Sequence, residues 1–251
     1  MASNPTATLA TLLRSSTIED HEEVLKAANA ALKSSKGNPD ILHTRVVALL
    51  KLDRFYDALR ALDEGGDKLA QRCLLEKAYA LYKTGELAEA EKSVQGGDTR
   101  GLKHVAAQIA YRAEKFEDAA KLYKQLSSEA VAIEGEENDI KINSLATDAQ
   151  LEWQDNGDKV EASRKQPSRD DLEAFETSYN AACGCIARGD LDKGMFLLKR
   201  ARALCNALEE LSDDEKRAED LPIMVQQAFV LTKLGKLEEA EALQKEINIA
   251  E

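Results

Sequence analysis

The sequence predicts an all-α fold assembled from repeated helical hairpins, and three observations predict it. Ala, Leu, Glu and Lys, all good helix formers, dominate the chain. Only four prolines interrupt 251 residues, and β-branched runs are scarce. Above all, one short pattern returns along the chain: an apolar helix, a turn, then an apolar residue three places before a small one.

The copies come in order. A weak one sits at Glu19-Asp20-His21-Glu22-Glu23-Val24. Clear ones follow at Asp53-Arg54-Phe55-Tyr56-Asp57-Ala58, Gly85-Glu86-Leu87-Ala88-Glu89-Ala90 and Glu114-Lys115-Phe116-Glu117-Asp118-Ala119. Two more appear at Gly189-Asp190-Leu191-Asp192-Lys193-Gly194 and Gly235-Lys236-Leu237-Glu238-Glu239-Ala240. The first steps between small residues are 34, 32 and 29 residues, close to the tetratricopeptide period of about 34. A second small residue stands about two helical turns before each turn: Ala78, Ala107, Ala182 and Ala228. Antiparallel helices approach closely only where small residues face one another, and glycine at the turn admits the left-handed conformation that ends a helix. The expected architecture is a right-handed superhelical solenoid of tetratricopeptide-type hairpins, one domain over residues 1–251.

The step from Ala119 to Gly194 breaks the period. An irregular unit and loop are expected at about residues 127–172. Glu136 to Trp153 reads as one helix, with Ile140, Leu145, Ala149 and Trp153 near helical spacing. The run Asp155-Asn156-Gly157-Asp158 and Pro167 then read as loop. In the last repeats Leu197, Leu198, Ala201, Leu204, Cys205 and Leu208 carry an apolar face beyond Gly194, so extended helices are expected there. The acidic stretch Ser212-Asp213-Asp214-Glu215 reads as the solvated tip that separates them from the closing pair.

Composition excludes several functions. The formal net charge is −12, from 34 basic and 46 acidic residues, which disfavours a broad phosphate-binding surface. No apolar run is long enough to span a membrane, and Met1 to Arg14 lacks the features of a secretory signal. Cys73, Cys183, Cys185 and Cys205 form no CxxC pair, and no histidine stands near them at ligand spacing. They read as small buried residues of a reducing compartment. No nucleophile–base pair, metal cluster or phosphate loop can be assembled. No catalytic residue, cofactor or metal is expected, and the chain reads as a scaffold rather than an enzyme.

In such an array the first helix of each hairpin lines the inner surface. Counting back from each small residue places His43, Val47 and Leu50 there, then Arg72, Leu75, Tyr79, Tyr82 and Lys83, then His104, Gln108, Tyr111 and Arg112. Later units add Tyr179 and Cys183, then Val225 and Phe229. Four of the six tyrosines thus share the expected groove, and tyrosine is enriched where proteins bind one another. Asn143 and Asn180 lie on the same helices, where an amide could hold a peptide backbone or a neighbouring helix. Arg72, Lys83 and Arg112 would make the groove locally basic. The Lys/Asn clamp by which some repeat proteins hold chaperone carboxylate tails would fall at Leu9 and Leu13, His43 and Val47, Arg72 and Glu76. It is missing.

More specific segments carry a family resemblance. Tyr179-Asn180-Ala181-Ala182-Cys183, then Arg188-Gly189-Asp190-Leu191 and Met195-Phe196-Leu197-Leu198-Lys199-Arg200-Ala201, resemble the repeat region of the family of 72-kilodalton subunits of the eukaryotic signal recognition particle. Phe116-Glu117-Asp118-Ala119-Ala120-Lys121-Leu122-Tyr123 is similar to its fourth repeat. Lys141-Ile142-Asn143-Ser144-Leu145-Ala146, with Ala149-Gln150 and Trp153, is similar to its irregular central helix. The resemblance runs from about Leu9 to Ile247. It implies a cytoplasmic scaffold that supports co-translational targeting of secretory and membrane proteins to the endoplasmic reticulum. Its groove would grip the C-terminal part of the particle's 68-kilodalton subunit. The family contacts particle RNA through a lysine-rich C-terminal segment that this sequence lacks, so a protein-binding fragment is expected. The other reading is a generic tetratricopeptide adaptor for a different peptide.

Overall fold

A computed structural model describes residues 20–130 and 135–250. The expected contributions of Glu19, Leu9 and Leu13 fall outside them. Among the described residues every regular element is helical and there is no strand, as an all-α helical repeat requires. The chain divides into two compact units, Met1–Glu114 and Lys115–Glu251.

In the first unit the helices are α1 (His21–Ser34), α2 (Pro39–Lys51), α3 (Phe55–Arg72), α4 (Leu74–Thr84), α5 (Leu87–Val94) and α6 (Arg100–Arg112). Each packs on its chain neighbour, and α4 also meets α2 and α6. First helices therefore lie beside first helices, the arrangement the repeat implies. The small residues sit where they were expected: Ala58, Ala78, Ala90 and Ala107 are fully buried. The hairpin turns share one geometry. Asp53 (φ 54°) and Gly85 (φ 86°) are left-handed. The next N–H reaches back to the helix, Arg54 to the Leu49 carbonyl and Glu86 to the Leu81 carbonyl, each at 2.9 Å. That bond satisfies a carbonyl the helix end would otherwise leave open. One break was not foreseen: Gly66 (φ 71°, ψ −174°) divides α3 into two helical stretches.

The second unit holds α7 (Phe116–Ser128), α8 (Glu136–Trp153), α9 (Ala162–Lys165), α10 (Phe175–Ala187), α11 (Leu191–Ala207), α12 (Asp213–Lys233) and α13 (Leu237–Ala250). Gly189 and Gly235 repeat the left-handed turn, with Asp190 and Lys236 donating to Cys185 and Leu231 at 2.9 Å. Ala119 and Ala182 are fully buried, and Gly194 is buried. Ala228 is half-buried, so the final pair packs less closely there. The acidic stretch does cap a helix: the Ser212 hydroxyl accepts from the Glu215 N–H while the Glu215 carboxylate accepts from Ser212 N–H at 2.8 Å.

The irregular unit begins as a normal hairpin. Helix α8 ends in the same left-handed turn, at Asp155 (φ 56°), and Asn156 N–H donates to the Leu151 carbonyl at 2.9 Å. No second helix of ordinary length follows. A side chain at Gly157 would put its Cβ 2.0 Å from Glu152 Oε2, so the chain crosses the Glu152 carboxylate closely. It continues as two 3-10 turns, Gly157–Lys159 and Asp170–Leu172, with α9 between them. Side chains hold it where helix bonds would otherwise act. Arg164 Nε donates to Asp148 at 2.8 Å, and Arg200 Nε and Ser178 Oγ donate to the Leu172 carbonyl at 3.1 and 3.2 Å. Val160 and Leu172 are its buried apolar anchors. With no second helix in between, α10 packs directly on α8.

Candidate protein-binding faces

In the first unit the expected face is carried by α2, α4 and α6. His43, Val47, Tyr79, Tyr82, His104, Gln108 and Tyr111 are half-buried, while Arg72, Leu75 and Arg112 are exposed. The half-buried side chains have part of their surface packed within the unit and part open. Tyr79 packs edge-on against Phe55, ring centroids 6.1 Å apart, so part of its area serves the contact between α3 and α4. Tyr82 lies 5.4 Å from the Arg112 guanidinium, which also donates to the Tyr82 carbonyl at 2.8 Å. The charged residues expected here are engaged. Arg72 pairs with Asp40 at 2.6 Å, and the Lys83 ammonium sits 5.3 Å over the Phe55 ring. Leu75, 39% exposed, lies over Gly101, where an added Cβ would come within 2.9 Å of its Cδ2. Glycine therefore lets α6 approach α4 at the floor of the face.

At the head of this face the fold joins residues that linear spacing kept apart. Cys73 ends α3 and caps α4, Glu76 follows one turn on, and His43 reaches them from α2. His43 Nε2 is 2.6 Å from Glu76 Oε1. The three ligand-capable atoms all lie within 4.8 Å of one another. Burial, with Glu76 nearby, pushes the Cys73 thiol up to about 11.

In the second unit the corresponding helices are α8, α10 and α12. Both asparagine amides are used within the chain. Asn143 Nδ2 donates to the Asp139 carbonyl of its own helix at 2.8 Å, and Asn180 Nδ2 to the Ile142 carbonyl at 3.0 Å. Asn180 therefore ties α10 to α8, the helix-to-helix role the sequence had left open. Tyr179 packs against the unit's core, and Cys183 is half-buried with its thiol raised to about 11 by burial. Val225 and Phe229, 49% and 37% exposed, form an apolar patch with Trp153, which is 50% exposed and 6.5 Å from the Phe229 ring. The sequence placed Trp153 in the periodicity of α8 and in the segment resembling the irregular central helix, and not in a binding face. Its position as the last residue of that helix was the available signal.

Beside α7 and α8 the irregular unit leaves a pocket of about 370 Å³ floored by Ile140 and Leu145. Its cations are paired, Lys124 with Glu161 at 2.7 Å and Lys141 with Asp171 at 3.8 Å, so it offers little net charge to an anion. Close by, burial pushes the Asp148 carboxyl up to about 6 against the pull of Arg164. Among the described residues no helix is long and apolar enough to cross a membrane.

Comparison with known proteins agrees with this architecture. The SRP_TPR_like family model, a TPR-like repeat, matches residues 17–150. "Signal recognition particle subunit SRP72" of Canis lupus familiaris is 30% identical over 237 residues, which is 91% of this chain and 34% of that protein. The proteins of the same name from Homo sapiens and Caenorhabditis elegans are 28% and 27% identical over 91% and 96% of this chain. The chain spans about a third of the length of these curated relatives. The helical hairpins and the family match over more than half of the chain lead to one assignment: the chain belongs to the SRP_TPR_like family of TPR-like repeats.

Proposed function

We propose that this chain is the protein-gripping part of a signal recognition particle subunit, a cytoplasmic scaffold rather than an enzyme. It would hold the C-terminal part of the 68-kilodalton sister subunit against the inner helices of its units. In this way it would support co-translational targeting to the endoplasmic reticulum. The observation that carries the reading is the placement of Tyr79, Tyr82 and Tyr111 on α4 and α6, half-buried on adjacent first helices in a chain of this family. Such rings already have part of their surface packed and little conformational freedom to lose, which favours tight contact with a partner. Tyr179 and Asn180 of α10 would play the matching part in the second unit.

The test is calorimetric titration of a peptide from the sister subunit's C-terminus. Truncating a central interface aromatic often costs about 2 kcal/mol or more, so Tyr82→Ala with Tyr111→Ala should weaken binding at least about thirtyfold. Glu89 and Lys121 are exposed and pair with their helix neighbours Lys92 and Asp118 at 2.7 and 3.1 Å. Reversing either charge should leave affinity within a factor of a few. A tyrosine variant that binds like the parent, beside outer variants that lose affinity, would put the partner on the outer helices and refute the groove.

A further inference from the structure

We propose that His43, Cys73 and Glu76 form a site for a single divalent transition-metal ion of the zinc type, at the head of the inner face of the first unit.

The geometry is the first argument. The three ligand atoms come from two neighbouring first helices and the junction before one of them, and lie within 4.8 Å of one another. Zinc bonds of about 2.0–2.3 Å at tetrahedral angles separate ligand atoms by about 3.3–3.8 Å. An ion between them would start within about 1 Å of bonding distance to all three. Binding requires the 2.6 Å contact of His43 with Glu76 to open by less than about 1 Å. The backbone that presents two of the ligands is ordered by helix bonds: Cys73 N–H donates to the Leu69 carbonyl at 2.9 Å, and Glu76 stands on the first turn of α4.

The second argument is donor chemistry. One sulfur, one imidazole nitrogen and one carboxylate oxygen suit zinc and its neighbours, whereas calcium and magnesium take oxygen alone. The Cys73 proton passes to solvent as the thiolate binds, and the charges of thiolate and carboxylate then balance the ion's. Cys73 is fully buried, while the His43 and Glu76 side chains are 33% and 17% exposed. The fourth ligand position therefore faces solvent along the face bearing Tyr79. Arg72 does not compete for the carboxylate, since it pairs with Asp40 at 2.6 Å.

The test uses the purified chain, stripped with a chelator, and needs no partner protein. Titration with cobalt(II) should give one saturable equivalent with a thiolate-to-cobalt charge-transfer band, which added zinc should bleach. Cys73→Ala should lose the band, while Cys183→Ala and Cys205→Ala keep it. Outer-shell partners of metal ligands are worth about 10–100-fold in affinity, so losing a direct ligand in His43→Gln or Glu76→Gln should weaken binding at least about tenfold. Should Cys73→Ala fail to fold, His43→Gln, which alters a half-exposed ring, decides the matter. Absence of saturable binding, or affinity equal to the parent's in the His43 and Glu76 variants, would overturn the proposal and leave His43 and Glu76 as a hydrogen-bonded pair only.

Discussion

Gly194 and Gly184 are both buried glycines inside helices, yet the structure assigns their replacement by alanine opposite signs. At Gly194 in α11 an added Cβ would lie 2.7 Å from Ile186 Cγ1 and 3.6 Å from the Ala182 carbonyl oxygen of α10. Carbon atoms pack at about 3.5–4.0 Å, so the methyl arrives roughly 1 Å too close. Ile186 is 4% exposed and has no open space to enter. Overpacking of this kind costs about 1–3 kcal/mol, against a gain of about 0.5–1 kcal/mol for removing a mid-helix glycine. The net expectation for Gly194→Ala is a loss of up to about 2.5 kcal/mol. At Gly184 in α10 the nearest atoms are the Arg188 guanidinium at 3.4 Å and Ala149 Cα at 3.9 Å. These are ordinary contacts, so Gly184→Ala should gain about 0.5–1 kcal/mol. Urea unfolding followed by far-ultraviolet circular dichroism and by the fluorescence of Trp153, the one tryptophan, would read both. At about 1–3 kcal/mol per molar urea, the midpoints should separate clearly and in opposite directions. Ile186→Ala should also cost less in the Gly194→Ala background than alone, because it removes the atom that the methyl strikes. Two substitutions that stabilise equally would refute the close approach of α10 and α11.

Two further predictions use other features. Glu114 adopts a left-handed turn (φ 59°) where the turns at Gly85, Gly189 and Gly235 have glycine; Glu114→Gly should stabilise by about 0.5–1 kcal/mol, and Gly85→Ala (φ 86°) should destabilise by a similar amount or more, both read as shifts in the urea midpoint. Asp148 has a folded-state pKa of about 6, raised by burial above its ordinary 3.8, so the folded state holds its proton more tightly than the unfolded chain. Its contribution to stability is fullest below the ordinary value and is lost as pH rises through about 6. Relative to Asp148→Asn, the parent should gain stability as pH falls from about 7 to about 4, by up to about 3 kcal/mol; parallel pH profiles would show that Arg164 compensates for the buried charge fully.

The parts of the fold set by neighbours in sequence were the legible ones. Helix α8 runs from Glu136 to Trp153 as its apolar spacing requires. The turns at Asp53, Gly85, Glu114, Gly189 and Gly235 are all left-handed, although two of them lack glycine, because the flanking pattern sets their geometry. Buried small residues marked the helix contacts, since close approach leaves no room for a larger side chain. What stayed hidden depends on partners far along the chain. The break at Gly66 is the exception, since the Gly65-Gly66 pair is a local signal that helical periodicity passes over. The irregular unit is held by Arg164, Arg188 and Arg200, whose acceptors Asp148, Glu152 and Leu172 lie outside their own helices. His43 and Glu76 meet only because hairpins stack, and no motif at fixed spacing could have paired them.

The same stacking changes what the inner face offers a partner. Counted along the sequence, Arg72, Lys83 and Arg112 made the face locally basic. Folded, Arg72 is neutralised by Asp40, while Lys83 and Arg112 lie against the rings of Phe55 and Tyr82. An incoming carboxylate would have to displace those contacts, and exposed ion pairs return little for that cost. The groups with surface still to bury are apolar or aromatic: Leu75 in the first unit, and Trp153, Val225 and Phe229 in the second. On the proposed reading, affinity should therefore come mainly from apolar burial, at roughly 25 cal/mol for each Å² removed from water. Arg72 is paired by Asp40, while Lys83 and Arg112 keep their charge and lie against rings. A ligand selected only for negative charge would fit this face poorly, and one presenting apolar side chains along an extended or helical segment would fit it well.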